Sequence, residues 1–171
     1  MLDIEKLIVK IPDYPKPGIL FYDISKLLNE SNSFKETIRL LKEKIVNYKF
    51  DKIAAIDARG FIFGSALANE LDLGLTIIRK KNKVPGKKIS YEYNLEYGKD
   101  SLEINPKYGE SNFILVDDVL ATGGTANAAC KLIEKSGGNI SCFLTLIELD
   151  FLNGRNTVSY THLRAHETLL Y

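Results

Sequence analysis

The chain of 171 residues contains no tryptophan, one methionine, two cysteines and two histidines. Two cysteines cannot build a disulfide framework, and Cys130 and Cys142 lack the spacing of metal ligands, so both are predicted to be buried free thiols. The histidines, His162 and His166, have no third ligand beside them, which argues against a metal site. The sequence therefore does not favour a disulfide-stabilised or a Cys/His metal-binding protein.

An excess of charge of one sign is also missing. Lys and Arg number 23 and Asp and Glu 22, so the net charge of +1 gives no reason to expect a nucleic-acid or membrane partner. No apolar run approaches the roughly 18 residues that a membrane-spanning helix needs, and the first residues interleave charged with apolar side chains. The sequence predicts a cytoplasmic protein in which any anion site is local.

Apolar periodicity alternates between strands and helices along most of the chain. Before Phe34 the sequence is irregular, and "PDYPKPG" predicts a loop. Residues 33–48 then have helical spacing, with Ser33 placed as a cap. Strand patterns at 52–57, 73–80, 112–118 and 140–149 alternate with helical ones at 60–71 and 125–138. This alternation predicts an α/β fold with a parallel sheet, in which ligands bind at the carboxyl ends of the strands.

The most informative segment is "FILVDDVLATGGTANAACKLIEKSGG", residues 113–138. Gly123 and Gly124 let the backbone approach a ligand closely, and the following helix directs its free amides and its dipole at the same point. Thr122 and Thr125 add hydroxyl groups. The segment has neither the lysine nor the spacing of a nucleotide-triphosphate loop, which favours a phosphate that is held and not transferred.

Asp117 and Asp118 immediately precede this loop. Two carboxylates would repel a phosphate unless they bind something else, and a ribose diol fits because its hydroxyl groups donate to acceptor-only oxygens. Two acids can simply end a strand, and two glycines can simply make a turn. The combination of apolar strand, two acids, small-residue loop and helix favours a sugar phosphate.

Two other strand ends carry positive charge. Arg59 lies between a strand and Gly60 at a predicted helix start, where a second anion is well placed. The segment "RKKNKVPGKK", residues 79–88, follows another buried strand. A basic run is usually a solvated face, but in an otherwise neutral chain it favours a polyanionic substrate.

The segment "ILVDDVLATGGT" resembles the phosphoribosyl-pyrophosphate-binding motif of the type I phosphoribosyltransferases. Residues 10–155 resemble the adenine phosphoribosyltransferases in particular, because "DYPKPGILFYDIS", "DARGFIFG", "IIRKKNKVPG" and "YNLEYGKDSLEI" fall in that family's order. The resemblance implies a central, mostly parallel sheet flanked by helices, with a small N-terminal hood and a flexible catalytic hairpin loop.

The resemblance also implies roles for individual residues. Arg59, Arg79 and Lys83 are expected to bind pyrophosphate, and a cis peptide is often found before the residue that matches Arg59. The catalytic residues are expected to be Arg59 together with Glu96 and Tyr97 of the hairpin loop, whose Glu handles the purine proton. The residues expected to bind the ribose and its 5-phosphate are Asp117, Asp118, Ala121, Thr122, Gly123, Gly124 and Thr125.

The base is expected to bind at Leu20, Phe21 and Tyr22, with Phe21 stacking on the ring. Tyr22 departs from the arginine common in the family, and tyrosine cannot offer the same fork of donors. The implied reaction converts adenine and 5-phosphoribosyl 1-pyrophosphate to AMP and pyrophosphate. Its Mg²⁺ is held mainly by the substrate and not by protein side chains alone, and the implied assembly is a homodimer.

Residues 1–155 are predicted to form one domain, whereas residues 156–171 depart from the family pattern. We expect this segment to be a non-native tail that is poorly ordered or packed unlike the family. Three alternatives remain open at this stage. One is a phosphoribosyltransferase for hypoxanthine, guanine or xanthine, another is a non-catalytic regulator that binds phosphoribosyl pyrophosphate, and the third is a protein inactivated by its altered tail.

Overall fold

A computed structural model describes residues 3–95, 98–106, 110–159 and 166–170. The chain divides into two compact units, residues 1–40 and residues 41–171. The division does not decide whether residues 1–155 form one domain, so the single domain stays a prediction. None of the helices among the described residues is long and apolar enough to cross a membrane.

The N-terminal unit contains more regular structure than the sequence suggested. A 3-10 turn at Ile4–Leu7 leads into strand β1 (Val9–Ile11), which pairs antiparallel with β2 (Phe21–Asp23). Helix α1 (Ser25–Asn29) follows. The loop predicted from "PDYPKPG" is confirmed, since no helix or strand lies between β1 and β2. The prediction of irregular structure was wrong for the residues on either side of this loop, because their short elements do not show a periodicity.

Helix α2 (Ser31–Lys44) begins two residues before the predicted cap and ends four residues before Tyr48. Ser33 lies inside the helix, where its hydroxyl group donates to the Glu30 carboxylate at 3.0 Å. The prediction of Ser33 as the cap was therefore wrong. Three adjacent polar residues each suit a first turn, so their composition does not choose among them.

The larger unit is built on a seven-stranded sheet in the order β5-β6-β4-β3-β7-β8-β9. Strands β3, β4, β7, β8 and β9 run parallel to one another, and the β5–β6 hairpin joins the edge of β4 antiparallel. The strands are β3 (Lys52–Ile56), β4 (Gly74–Lys80), β5 (Ile89–Leu95), β6 (Gly98–Ile104), β7 (Asn112–Leu120), β8 (Asn139–Glu148) and β9 (His166–Leu170). The predicted mostly parallel α/β sheet is confirmed.

Helices α3 (Gly60–Glu70), α4 (Gly124–Lys135) and α5 (Gly154–Ser159) accompany the sheet. The central strands β3 and β7 are fully buried over most of their length, as expected of apolar runs covered on both faces. Gly64 brings α3 against β3, since a Cβ atom there would lie 2.5 Å from the Cβ atom of Ala55. Both cysteines are free and buried, as predicted.

Part of the tail forms regular structure, contrary to our expectation. Strand β9 extends the sheet by pairing parallel with β8, and its Thr168 is fully buried. The carboxylate of Glu167 accepts a hydrogen bond from the hydroxyl group of Tyr48 at 2.7 Å. A short strand of five residues, His166–Leu170, thus occupies the open edge of β8. Residues 160–165 and 171 lie outside the described residues, and the non-native origin of the tail stays a prediction.

Candidate active site

A cavity of about 390 Å³ lies at the carboxyl ends of the adjacent parallel strands β3 and β7. This is the edge of the sheet at which an α/β protein binds its ligand. The lining residues come from the turn after β3, the end of β4, and the segment that runs from the end of β7 into α4. They are Asp57, Ala58, Arg59, Lys80, Asp117, Asp118, Val119, Leu120, Ala121, Thr122, Gly123, Gly124, Thr125 and Ala126.

Residues 121–125 run from the end of β7 into the first turn of α4, and we call this segment the anion loop. Gly123 adopts a left-handed conformation at φ 83° directly before α4, a geometry that favours glycine. The unpaired amides at the start of α4 and the hydroxyl groups of Thr122 and Thr125 therefore border the cavity together. This arrangement suits an anion such as a phosphate.

Helix α5 supports the anion loop from outside the cavity. A Cβ atom on Gly154 would collide with the carbonyl oxygen of Ala121, and a Cβ atom on Gly123 would lie 2.5 Å from the carbonyl oxygen of Gly154. Two atoms of Arg155, Nε and Nη2, donate to the buried Glu148 carboxylate at 3.1 and 2.6 Å. Sequence reasoning missed this support, which depends on the glycine that precedes Arg155.

Asp117 and Asp118 lie near the end of β7, which continues to Leu120, two residues beyond the predicted strand end. Oδ1 of Asp117 accepts the backbone N–H of Asp118 at 2.9 Å. Oδ2 of Asp118 is buried and accepts no hydrogen bond within the described part of the chain, although Nε of Arg59 lies 2.7 Å away. Burial and the neighbouring Asp118 charge raise the pKa of Asp117, and burial raises the pKa of Asp118 against the opposing charge of Arg59. Donors from a ligand would relieve this cost.

The turn after β3 brings Arg59 to these acids. The peptide bond between Asp57 and Ala58 is cis. The resemblance implied a cis bond directly before Arg59, which would lie one residue later. Gly60 allows the close approach, because a Cβ atom there would lie 2.8 Å from the carbonyl oxygen of Val116 and 3.0 Å from Oδ1 of Asp117. Arg59 therefore lines the cavity, as the sequence indicated.

Arg79 and Lys83, the other predicted pyrophosphate ligands, contact the neighbouring Asp57. Nε of Arg79 lies 3.1 Å and Nζ of Lys83 3.4 Å from Oδ2 of Asp57. Burial acts to raise the pKa of Asp57, but the amide of Lys80, the Arg79 side chain and the Lys83 charge outweigh it and lower the pKa. Asp57 thus holds two cationic side chains, Arg79 and Lys83, beside the cavity.

Sequence reasoning missed Lys80 as a site residue. Lys80 lines the cavity, and its Nζ lies 2.8 Å from Oδ2 of Asp100 on β6. The alternation of side chains along a strand could have found it, because adjacent residues such as Arg79 and Lys80 point to opposite faces. Tyr93 on β5 was also missed. Its hydroxyl group lies 3.3 Å from the same oxygen of Asp100 and 3.4 Å from Oγ1 of Thr125.

The remaining predicted residues lie elsewhere. Glu96 and Tyr97 fall outside the described residues, between Leu95 and Gly98, which pair at the end of the β5–β6 hairpin. The predicted base-binding residues 20–22 belong to the N-terminal unit.

Within the N-terminal unit, the Phe21 ring packs edge-on against Tyr14 with centroids 5.1 Å apart. Nζ of Lys10 lies 5.9 Å from the centroid of the Tyr22 ring, which is a cation–π contact on the β1–β2 pair. Leu20 is 38% exposed. Two of the three residues, Phe21 and Tyr22, thus already have neighbours against their rings within this unit.

Comparison with known proteins places this geometry in a family. The model of the phosphoribosyl transferase domain matches residues 23–149. The adenine phosphoribosyltransferase of Maridesulfovibrio salexigens is 48% identical over 160 residues, which are 92% of this chain and 94% of that protein. The adenine phosphoribosyltransferase of Kosmotoga olearia is 44% identical over 96% of this chain and 98% of its own.

Solved structures agree. The adenine phosphoribosyltransferase of Thermoanaerobacter pseudethanolicus superposes with a TM-score of 0.93 at 42% identity, over 98% of this chain and 97% of its own. The Saccharomyces cerevisiae enzyme, solved with an imino-altritol bisphosphate and adenine, gives a TM-score of 0.89 at 35% identity, over 98% and 97% of the two chains. Since the domain model spans most of the chain and its relatives align almost end to end, the chain belongs to the phosphoribosyltransferase family, among the adenine phosphoribosyltransferases.

Proposed function

We propose that the chain transfers the 5-phosphoribosyl group from 5-phosphoribosyl 1-pyrophosphate to adenine, giving AMP and pyrophosphate in purine salvage. The observation that carries the proposal is the acid pair of the partly buried Asp117 and the buried Asp118, directly beside the anion loop in one cavity. Acceptor-only oxygens next to a phosphate seat suit the diol and the 5-phosphate of one ribose. The yeast relative, solved with adenine and a bisphosphate, supports the same pair of ligands.

The binding roles follow from charge. The anion loop and the start of α4 hold the 5-phosphate, and the carboxylates of Asp117 and Asp118 accept the ribose hydroxyl groups. Arg59 and Lys80 border the other part of the cavity and suit the diphosphate. Arg79 and Lys83, held on Asp57, are available to the same anion.

The chemistry then needs no side-chain nucleophile. The bond between ribose C1 and the pyrophosphate oxygen breaks, and the purine nitrogen attacks C1. Pyrophosphate leaves with the electron pair of the broken C1–O bond. Glu96 accepts the proton that the purine nitrogen loses. Arg59 and Lys80 stabilise the negative charge that develops on the leaving group, and carboxylates near the ribose favour its positive charge. Fixing both reactants next to each other lowers the entropic part of the barrier.

Mg²⁺ fits this site as part of the substrate complex. No cluster of three or more His, Cys, Asp or Glu suited to a metal occurs in the part of the chain that the structure describes. The residues present, a carboxylate pair beside cationic side chains, fit a metal that takes most of its oxygens from diphosphate and ribose. Bound there, Mg²⁺ would neutralise diphosphate charge, while Asp117 and Asp118 hold the ribose hydroxyl groups.

We expect the active form to be a homodimer in the cytoplasm. The support is the family resemblance together with α3, whose Phe61 and Ile62 are only partly buried in the single chain. Light scattering of the purified protein measures the mass directly. A mass of one chain at micromolar concentration would contradict the expectation.

The test is product formation from 5-phosphoribosyl 1-pyrophosphate and Mg²⁺ with adenine, hypoxanthine, guanine or xanthine offered separately. We expect AMP from adenine and no nucleotide from the other bases. Turnover of another base would move the specificity to that base, and Tyr22 would be the first position to change to arginine. No turnover, with a melting temperature that still rises with 5-phosphoribosyl 1-pyrophosphate, would identify a binding protein.

A further inference from the structure

Two side chains of the β5–β6 hairpin reach polar groups that border the cavity. Tyr93 and Asp100 oppose each other in the hairpin register, and the Tyr93 hydroxyl group lies 3.3 Å from Oδ2 of Asp100. Lys80, which lines the cavity, places its Nζ 2.8 Å from the same oxygen. Thr125 of the anion loop places Oγ1 3.4 Å from the Tyr93 hydroxyl group. One hairpin pair therefore contacts two residues that line the cavity, Lys80 and Thr125.

The number of protons fixes the direction of these bonds. Burial acts to raise the pKa of Asp100, but the Lys80 side chain and the Ser101 amide outweigh it and lower the pKa, so the carboxylate is ionised and can only accept. The Tyr93 hydroxyl group has one proton, which it donates to Asp100. With both contacts made, the proton between Tyr93 and Thr125 must come from Thr125.

A bound phosphate ligand needs the same protons. A phosphate on the anion loop accepts hydrogen bonds, so it draws the single hydroxyl proton of Thr125 away from Tyr93. A diphosphate in the cavity attracts the Lys80 ammonium, for which the Asp100 carboxylate competes. Before a ligand binds, the hairpin pair therefore engages the hydroxyl group of Thr125 and the ammonium group of Lys80. These are the two donors that the phosphate and the diphosphate need.

We infer that Tyr93 and Asp100 are positioning residues, which hold the hairpin against Thr125 and Lys80 until a ligand with both a phosphate and a diphosphate displaces them. The inference rests on the proposed function, since it assigns the two ends of its substrate. The same hairpin carries Glu96 and Tyr97 three and four residues after Tyr93. Displacing the pair therefore changes the contacts of the segment that bears the expected catalytic residues.

The inference predicts tighter binding and slower turnover when a positioning residue is removed. In Asp100→Asn the competing charge is gone, so the dissociation constant of inorganic pyrophosphate with Mg²⁺ should fall about three- to tenfold. In Tyr93→Phe the Thr125 proton is released, so the dissociation constant of ribose 5-phosphate should fall about two- to fivefold. In both variants kcat should fall by a similar factor, because the product that is held more tightly, pyrophosphate or the nucleotide, leaves more slowly.

Isothermal titration calorimetry measures both constants, and steady-state AMP formation gives kcat. Tyr91→Phe is the matched control, since Tyr91 lies on the same strand and packs against the core. Loss of structure alone would weaken binding, so weaker or unchanged dissociation constants overturn the inference. A kcat equal to the control's overturns the positioning role.

Failure of the proposed function gives a different result. If the wild-type protein makes no AMP while both dissociation constants shift as expected, the hairpin contacts stand and the reaction assignment falls. If AMP forms normally and neither constant shifts, the reaction stands and the inference falls.

Discussion

Arg59 and Asp118 join the two strand ends that form the site. Nε of Arg59, after β3, lies 2.7 Å from Oδ2 of Asp118, at the end of β7. The Asp118 side chain is 7% exposed, whereas Arg59 is 35% exposed. One cation therefore neutralises part of a buried carboxylate while about a third of its own side chain stays exposed. This relationship links a residue proposed to bind the ribose to one proposed to bind the diphosphate.

Asp118→Asn should separate ligand binding from stability. The variant loses the ion pair with Arg59 but also removes a charge whose burial is costly, so its melting temperature should change little. Its affinity for ribose 5-phosphate should fall at least about tenfold, because a carboxylate that accepts the ribose hydroxyl groups is gone. Calorimetry measures the affinity and thermal unfolding the stability. Asp72→Asn, at an exposed position, is the control, and unchanged affinity in Asp118→Asn would remove Asp118 from the ribose site.

Glu103→Gln should reduce stability in a pH-dependent way. The Glu103 carboxylate is 2% exposed, accepts the amides of Asn82 and Val84 at 2.9 and 3.3 Å, and pairs with Nζ of Lys88 at 2.8 Å. Burial acts to raise the pKa of Glu103, but these donors outweigh it and lower the pKa below 4.5. The pairing thus stabilises the fold above pH 4.5, and this stability is lost as the pH falls through the folded-state pKa.

We therefore expect Glu103→Gln to lower the free energy of unfolding by about 1–3 kcal/mol at pH 7. The difference from wild type should shrink as the pH falls below 4.5. Urea unfolding between pH 7 and pH 3.5 checks this trend, with the exposed Glu92→Gln as control. A difference that stays constant over this range would show that the Glu103 charge contributes nothing.

Gly154→Ala should disturb the anion loop from outside the cavity. The new methyl group would collide with the carbonyl oxygen of Ala121, so α5 or the loop must shift. We expect the KM for 5-phosphoribosyl 1-pyrophosphate to rise about tenfold, and the free energy of unfolding to fall by about 1–3 kcal/mol. Gly74→Ala, where nothing lies within 4 Å, is the control for steady-state kinetics and urea unfolding. A wild-type KM in Gly154→Ala would mean that α5 does not position the loop.

Thr168→Val should show whether β9 is an integral part of the sheet. The buried Thr168 hydroxyl group donates to the Glu148 carboxylate at 2.9 Å, and valine keeps the shape without the donor. We expect the free energy of unfolding to fall by about 1–3 kcal/mol, since a buried carboxylate loses a partner. Thr168→Ser keeps the hydroxyl group and should retain most of the stability. Equal urea midpoints for Thr168→Val and wild type would support the earlier expectation of a loosely packed tail.

The sequence predicted the elements whose periodicity extends over many residues. The strands around Ile77 and Leu115 and the helix that contains Cys130 are seven to twelve residues long, which is enough to show their pattern. The anion loop was predictable because glycine, acid and hydroxyl residues in one short segment have a direct chemical meaning. Short elements such as β1, and the strand ending at Leu170, have too few residues for a pattern to stand out.

Contacts between distant segments could not be predicted in the same way. The hydrogen bonds of Tyr93 with Asp100 and Thr125 depend on the hairpin register and on how α4 approaches it. The crowding of Gly154 against Ala121 depends on the exact path of the chain after β8. Such contacts follow from three-dimensional packing and leave no periodic signal in the sequence.

The position of the cavity in the strand order determines which motions a ligand can suppress. Strands β3 and β7 are neighbours inside the seven-stranded sheet, whereas β5 and β9 form its edges. Interior strands open only when the whole unit unfolds, while edges fray locally. A ligand held between β3 and β7 should therefore slow amide hydrogen exchange in the interior strands, which report global unfolding, and leave exchange at β9 unchanged.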